Sequence, residues 1–264
     1  MSSLAESNPP LELEEKNYDF GEHSLKISTF KGAYLGVSAF VWEPGLVLCR
    51  YFESEKIDFT GKKVLELGSG TGIVGILAVL LGGDVTLTDR SYVLNQIEYN
   101  VQANIPASSR HRSSIRALAW GDDQCNFPND FDYILGSDIV YNPSQFPGLL
   151  QTLLYLSTDK TIVYMSSNMA AREGAINFHE DLLLKQFNSE ILHTSGRAYC
   201  GVPLKPRFMP PLRSMVQFLN ADEDSAVYNR SARDEIDASF SHVSMKQATP
   251  GWRSKLQVLI ATSL

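Results

Sequence analysis

Apolar and polar positions follow two periods along this chain, and the change falls at Lys63. Ahead of it, Tyr18 and Phe20 alternate with polar residues before Gly21-Glu22, and Leu25 and Ile27 alternate after it. A period of two on both sides of a turn predicts a hairpin. Val37 to Phe52 then carries apolar residues at helical spacing, Leu46, Leu48 and Tyr51 among them, with Pro44 near the first turn where its fixed φ suits a helix. From Lys63 onward, short apolar runs alternate with amphipathic segments. KVLEL, DVTLT, IRALAW, FDYILGSD, TIVYMSS and EILHT read as strands. Residues 71–81, 91–104, 144–156 and 170–187 read as helices, with Ser91 placed to cap the second. Repeated βα units with continuously apolar strands predict a doubly wound α/β fold, a mostly parallel sheet covered on both faces.

The pattern breaks after Ser195. GRAYCGVPLKPRFMPPLRSM holds four prolines, NADEDSAVYNRSARDEIDASFSH is polar and charged, and only LQVLIA reads as a strand. The chain therefore divides into a leader over 1–16, a main domain with an N-terminal hairpin over 17–195, and an atypical, largely irregular tail over 196–264.

Composition narrows the function classes. At 264 residues the chain can bury one good-sized core. A net charge of −7 with no visible basic stretch argues against a nucleic-acid reader, which draws most of its affinity from neutralised phosphates, and suits a basic protein partner better. No apolar run approaches the ~20 residues of a membrane helix. MSSLAESNPP lacks the basic start and apolar stretch of a secretory signal, so a cytoplasmic site is expected, with the nucleus open. Cys49, Cys125 and Cys200 are too far apart to suggest a disulfide framework or zinc site, the five histidines are scattered, and no metal is expected. Cys49 reads as core, and His179 and His193 as surface.

The candidate chemistry centres on VLELGSGTGIVG, residues 64–75. Gly68, Gly70 and Gly72 spell GxGxG, and Gly70, Gly72 and Gly75 also satisfy GxGxxG, between a strand and a helix. Missing side chains let a ligand approach the backbone, and a helix N-terminus presents free N–H groups. Glu66 lies inside the strand, where a carboxylate is rarely kept without a task. Asp89 ends the next strand, where an acid accepts hydrogen bonds from a ribose hydroxyl pair; NAD and S-adenosylmethionine both carry one. Trp120, Ser137, Asp138 and Tyr141 follow the ends of the third and fourth strands, where ligands of open α/β sheets lie. Trp120 could line an adenine, and Asp138 and Tyr141 stand where a substrate would meet the cofactor. No second phosphate-binding glycine loop follows.

ELGSGTGIVG, GGDVTLTD, the Ala119-Trp120 pair, DIVY and Val41-Trp42 together resemble the seven-strand class of S-adenosylmethionine-dependent protein lysine methyltransferases. The likeness covers about residues 16 to 194 and is strongest, over LGVSAFVWEPGLVLCRYFESEKIDFTGKK and NVQANIPA, to members acting on translation elongation factor 1-alpha, with those modifying heat-shock chaperones next. The resemblance implies a Rossmann-like seven-strand sheet, a protein substrate and a monomer. It implies that Trp42 packs beside the cofactor, that Glu66, Gly68, Gly70 and Gly72 surround its methionine and ribose, that Asp89 holds the ribose hydroxyls and that Trp120 lies at the adenine. Ser137 stands beside them, and Asp138 with Tyr141 forms a DxxY element near the methyl group and the incoming lysine. The tail departs from the family, in which a final strand soon after EILHT pairs antiparallel and closes the sheet; LQVLIA is the candidate to take that place. A nicotinamide-dependent oxidoreductase and an inactive cofactor-binding module remain the rival readings.

Overall fold

The computed structural model of the chain describes residues 12–31, 34–168, 173–183, 185–187, 189–195 and 255–261, and all of these fall in one unit. Residues 1–11 of the expected leader, and the expected tail apart from 255–261, lie outside the described residues. Strands β1 (Glu12–Phe20) and β2 (His23–Lys31) form the expected hairpin, which begins inside the segment read as leader. The βα units follow as α1 (Glu43–Ser54), β3 (Lys63–Leu67), α2 (Ile73–Leu80), β4 (Asp84–Asp89), α3 (Leu94–Asn104), β5 (Ser113–Ala117), β6 (Tyr133–Ser137), α4 (Phe146–Leu156), β7 (Ile162–Asn168), α5 (Glu173–Asn177), β8 (Ser189–Ser195) and β9 (Lys255–Ala261).

The seven strands of the main sheet run in the order β5-β4-β3-β6-β7-β9-β8. Every neighbouring pair is parallel. The connections reverse direction between β3 and β6, which opens a crevice at the carboxyl ends of those two strands. LQVLIA lies in β9 as a sheet strand, but the expected antiparallel closure does not form: β9 enters between β7 and β8 and runs parallel to both. The long connection over 196–254 allows this, because a parallel neighbour needs a crossover of a dozen or more residues.

Side-chain alternation along β3 distributes its residues between two cores. Val64 joins Val47, Leu48, Val74 and Ile76 under α1 and α2, and the hairpin's Phe20, Leu25 and Ile27 extend this layer. Leu65 and Leu67 join Leu149, Leu153 and Phe178 under α4 and the turn after α5. Helix α2 is buried nearly all round, as its sequence IVGILAVL requires. Cys49 is core as expected. His179 is not at the surface: it is 7% exposed, and its Nε2 lies 2.9 Å from the Ser167 hydroxyl. A six-residue π turn at Phe178–Leu183 swings it inward, which a uniform helical reading of 170–187 does not anticipate. His193 lies in β8, and its side chain is outside the described residues.

Two further expectations shift. Helix α1 begins at Glu43 rather than Val37, because a 3-10 turn at Gly36–Ala39 precedes it; Pro44 does sit in the first turn. Ser91 does not cap α3: it opens a 3-10 turn, Ser91–Val93, that leads into the helix.

Candidate functional site

A cavity of about 630 Å³ opens at the carboxyl ends of β3, β4 and β6, where the order of connections reverses. Such a volume accommodates a nucleoside-sized ligand. Its floor is the turn from β3 to α2. At Gly68 the backbone is left-handed, with φ +65°, and an added Cβ would lie 2.7 Å from the Ile139 Cγ2 and 3.2 Å from the Trp120 ring. A side chain there would displace both neighbours. The turn is tied to β4 by the Ser69 N–H, which donates to the Thr88 carbonyl at 2.9 Å, and by the Ser69 hydroxyl, which accepts the Thr88 N–H at 3.1 Å.

Asp89 stands at the end of β4 on the cavity wall. One carboxylate oxygen accepts the Gly70 N–H at 2.8 Å and the other the Arg90 N–H at 2.8 Å. Burial raises its pKa, and these two bonds pull it back down. The carboxylate is thus fixed in direction, with lone pairs left for a hydroxyl pair. The Arg90 guanidinium donates to Gln145 at 3.1 Å, linking the loops after β4 and β6 that flank β3. Trp120 forms part of the opposite wall, on a turn held by Asp123, whose carboxylate accepts the Ala119 N–H at 3.0 Å.

Asp138 follows β6 and is 8% exposed. Its backbone is left-handed, φ +51°, one of two non-glycine residues so placed among those described. Such a conformation costs on the order of 1–2 kcal/mol and is retained where surroundings impose it. Its N–H donates to the Ser166 carbonyl at 2.7 Å, and its Oδ1 accepts the Asn168 N–H at 3.4 Å, so the end of β7 holds it. Tyr141 lies at the mouth, 41% exposed. Trp42, also 41% exposed, closes the near side, its indole N–H bonded to the Val37 carbonyl at 2.8 Å and its ring edge-to-face with Phe40. Trp120 is half-buried and also packs against the core that holds Leu65 and Leu67.

Trp42, Gly68, Gly70, Asp89, Trp120, Ser137, Asp138 and Tyr141 therefore line one cavity. Glu66 and Gly72 do not line the cavity. Glu66 projects to the α1–α2 side, accepts the Gly75 N–H at 3.2 Å and is pushed up to about 8 by burial. Gly72 faces Ile97 and Leu87, each within 3.3 Å of where its Cβ would be. Both shape the turn from behind. Sequence reading missed Ser69, Arg90, Gln96, Asp122, Asp123 and Gln145; only the acids carried a signal, as a polar cluster one turn past a strand end.

The electrostatics of the wall are one-sided. Four carboxyl groups, Asp89, Asp122, Asp123 and Asp138, face one guanidinium, Arg90. Such a wall suits a ligand carrying positive charge and a hydroxyl pair, and it repels a pyrophosphate. Among the described residues, no three His, Cys, Asp or Glu side chains gather as metal ligands.

Comparison with known proteins agrees with this geometry. A family described as "Lysine methyltransferase" matches residues 19–183. The chain is 50% identical to the EEF1A lysine methyltransferase 3 of Xenopus tropicalis over 179 residues, 68% of this chain and 79% of that one. It is 46% identical to the protein N-lysine methyltransferase METTL21A of Xenopus tropicalis over 153 residues, 58% of this chain and 70% of that one. Among solved structures, the T. thermophilus 16S rRNA N2 G1207 methyltransferase RsmC aligns with a TM-score of 0.53 over 75% of this chain and 52% of its own, at 15% identity, a likeness of fold alone. The chain belongs to the lysine methyltransferase family.

Proposed function

We propose that this protein transfers a methyl group from S-adenosylmethionine to the side-chain amine of a lysine in elongation factor 1A. One observation carries the cofactor reading: a nucleoside-sized cavity with a fixed carboxylate at the end of β4 and four carboxyl groups against one guanidinium. A sulfonium with a ribose fits that wall, and a nicotinamide dinucleotide with its pyrophosphate does not. When bound, S-adenosylmethionine supplies an electrophilic methyl group on a neutral leaving thioether. Asp89 is the residue to hold its ribose hydroxyls, Trp120 the face for its adenine, and Gly68 and Gly70 the floor that admits it. The substrate reading rests on the relatives named for EEF1A.

The remaining chemistry belongs to the lysine. A free lysine has a pKa of about 10.4, so presenting it neutral near pH 7.4 costs roughly 4 kcal/mol. Asp138, held by β7 beneath the mouth, binds the incoming ammonium and orients it. A carboxylate beside an ammonium raises the amine's pKa, so Asp138 anchors rather than activates, and the proton leaves through water at the open mouth. Tyr141 at that mouth offers its ring to the lysine stem or ammonium. Removing the charge at Asp138 while keeping its shape is the direct test, since asparagine tolerates the same left-handed backbone. Asp138→Asn is expected to bind S-adenosylmethionine but to lose at least ~100-fold in labelled methyl transfer to purified elongation factor 1A. Full turnover in the variant would remove Asp138 from the reaction. Unlabelled factor with the wild-type enzyme would remove the substrate, and failure of the wild type to bind S-adenosylmethionine by calorimetry would remove the cofactor.

A further inference from the structure

Helix α3 presents three side-chain amides at every fourth position, Gln96, Asn100 and Asn104, and each bonds backbone outside the helix. Asn104 accepts the Lys26 N–H at 2.7 Å and donates to the Lys26 carbonyl at 2.9 Å. Asn100 does the same at Ser28, at 2.8 and 2.9 Å, and also donates to the Thr71 carbonyl at 2.9 Å. Gln96 accepts the Phe30 N–H at 3.1 Å. Lys26, Ser28 and Phe30 are alternate residues of β2, so these amides satisfy the outer edge of the hairpin as a neighbouring strand would.

Gln96 does more than its two companions. Its Nε2 donates to the Ser38 carbonyl at 2.6 Å and to the Gly70 carbonyl at 3.1 Å. Ser38 lies in the 3-10 turn whose following residues, Phe40 and Trp42, wall the cavity on its exposed side; Gly70 lies in the floor and bonds Asp89. The Ser38 backbone already rests on the floor, 3.5 Å from where a Gly70 Cβ would be. At 2% exposure, no water replaces these bonds when the amide is removed.

We infer that Gln96 is a positioning residue that fixes the segment carrying Phe40 and Trp42 against the glycine floor, and so sets the shape of the cavity in which cofactor and lysine meet. The inference takes its cofactor from the reading above, but its first readout does not depend on it. Gln96→Glu keeps the side-chain shape and the bond to Phe30 but leaves the two carbonyls facing either a carboxylate, which repels both, or, where burial keeps it protonated, a single hydroxyl that can serve only one. Gln96→Met keeps the volume and loses all three bonds. Asn104→Leu removes bonds of the same kind that reach neither the floor nor the Phe40–Trp42 segment.

Hydrogen exchange on the unliganded protein is expected to quicken at residues 36–42 and 68–72 in both Gln96 variants, and at 24–28 alone in Asn104→Leu. Calorimetry and steady-state kinetics are expected to show Kd for S-adenosylmethionine raised about ten-fold or more in the Gln96 variants, the equivalent of one lost buried bond, with kcat at saturation changed less. Asn104→Leu is expected to keep the wild-type Kd. Unchanged exchange at 36–42 in Gln96→Glu overturns the inference, as does an equal loss of affinity in Asn104→Leu, which would mark general loosening. Gln96→Glu decides alone if Gln96→Met does not fold. A wild type that fails to bind S-adenosylmethionine overturns the cofactor reading, while exchange still settles the role of Gln96.

Discussion

Two glycines separate the effects that are usually merged in a glycine-rich turn. Gly61 and Gly68 have nearly the same left-handed backbone, φ +67° and +65°, but nothing lies within 4 Å of an added Cβ at Gly61, whereas Ile139 and Trp120 crowd the one at Gly68. Gly61→Ala is expected to cost only the strain of the backbone, about 1 kcal/mol. Gly68→Ala is expected to cost ~1–3 kcal/mol more, because it must also push two packed side chains aside, and, on the proposed function, to weaken S-adenosylmethionine binding by moving the Trp120 side of the cavity. Chemical unfolding of both variants measures the difference; equal losses would mean that Ile139 and Trp120 yield freely. The sequence shows which glycines cluster but not which line the cavity. For Glu66 the information was present: in a strand of period two it shares a face with Val64, towards α1 and α2, and so stands behind the turn. Gly72 offers no such signal, because only the packed neighbours Ile97 and Leu87 reveal its direction.

Elements were legible where burial is continuous. KVLEL is read at the bounds that β3 adopts, and the βα alternation predicts the parallel sheet because strands covered on both faces have no polar side to show. The parts that were not legible are held by polar contacts distant in sequence. The start of α1 shifts to Glu43 because the preceding residues are pinned to the glycine floor through Gln96, and periodicity cannot see a side chain bonding backbone in another element. The placing of β9 between β7 and β8 depends on a pairing across residues 196–254, which local pattern does not encode. On α3, Gln96 and Asn100 are buried and Asn104 is half-buried, and all three bond the hairpin. That yields a prediction: Asn100→Leu would leave the Ser28 N–H and the Ser28 and Thr71 carbonyls without their partner. It is expected to cost about 3 kcal/mol or more in urea unfolding, despite the added apolar volume. An exposed substitution on the same helix, Glu98→Leu, is expected to stay within ~0.5 kcal/mol. Similar losses in the two would show that the buried amides are not what joins α3 to the hairpin.

At the scale of the whole molecule, two buried groups that take no part in the cavity wall set how stability varies with pH. Glu66 is pushed from 4.5 up to about 8, first by burial, which the Ser69 and Gly75 hydrogen bonds only partly oppose, with the Asp89 charge adding to the rise. His179 is held from 6.5 down to about 4 by burial alone. A carboxyl whose folded value exceeds its unfolded value binds more protons in the folded state, so its contribution is complete below 4.5 and is lost as pH climbs through 8. A histidine whose folded value is depressed binds more protons when unfolded, so its contribution is complete above 6.5 and is lost as pH falls through 4. Between 4.5 and 6.5 the two slopes oppose one another, and above 6.5 only the Glu66 slope remains of the two. Stability is therefore expected to change little across mildly acid pH and to fall by about 2 kcal/mol from pH 6.5 to 8.5, several degrees in Tm for a domain of this size. Glu66→Gln keeps an oxygen for the Gly75 N–H but cannot ionise, so it is expected to abolish most of that fall. Thermal melts of both proteins across this range decide the matter. A variant that loses stability as steeply as the wild type would mean that Glu66 does not carry its proton to neutral pH, and that the glycine turn rests on a charged carboxylate instead.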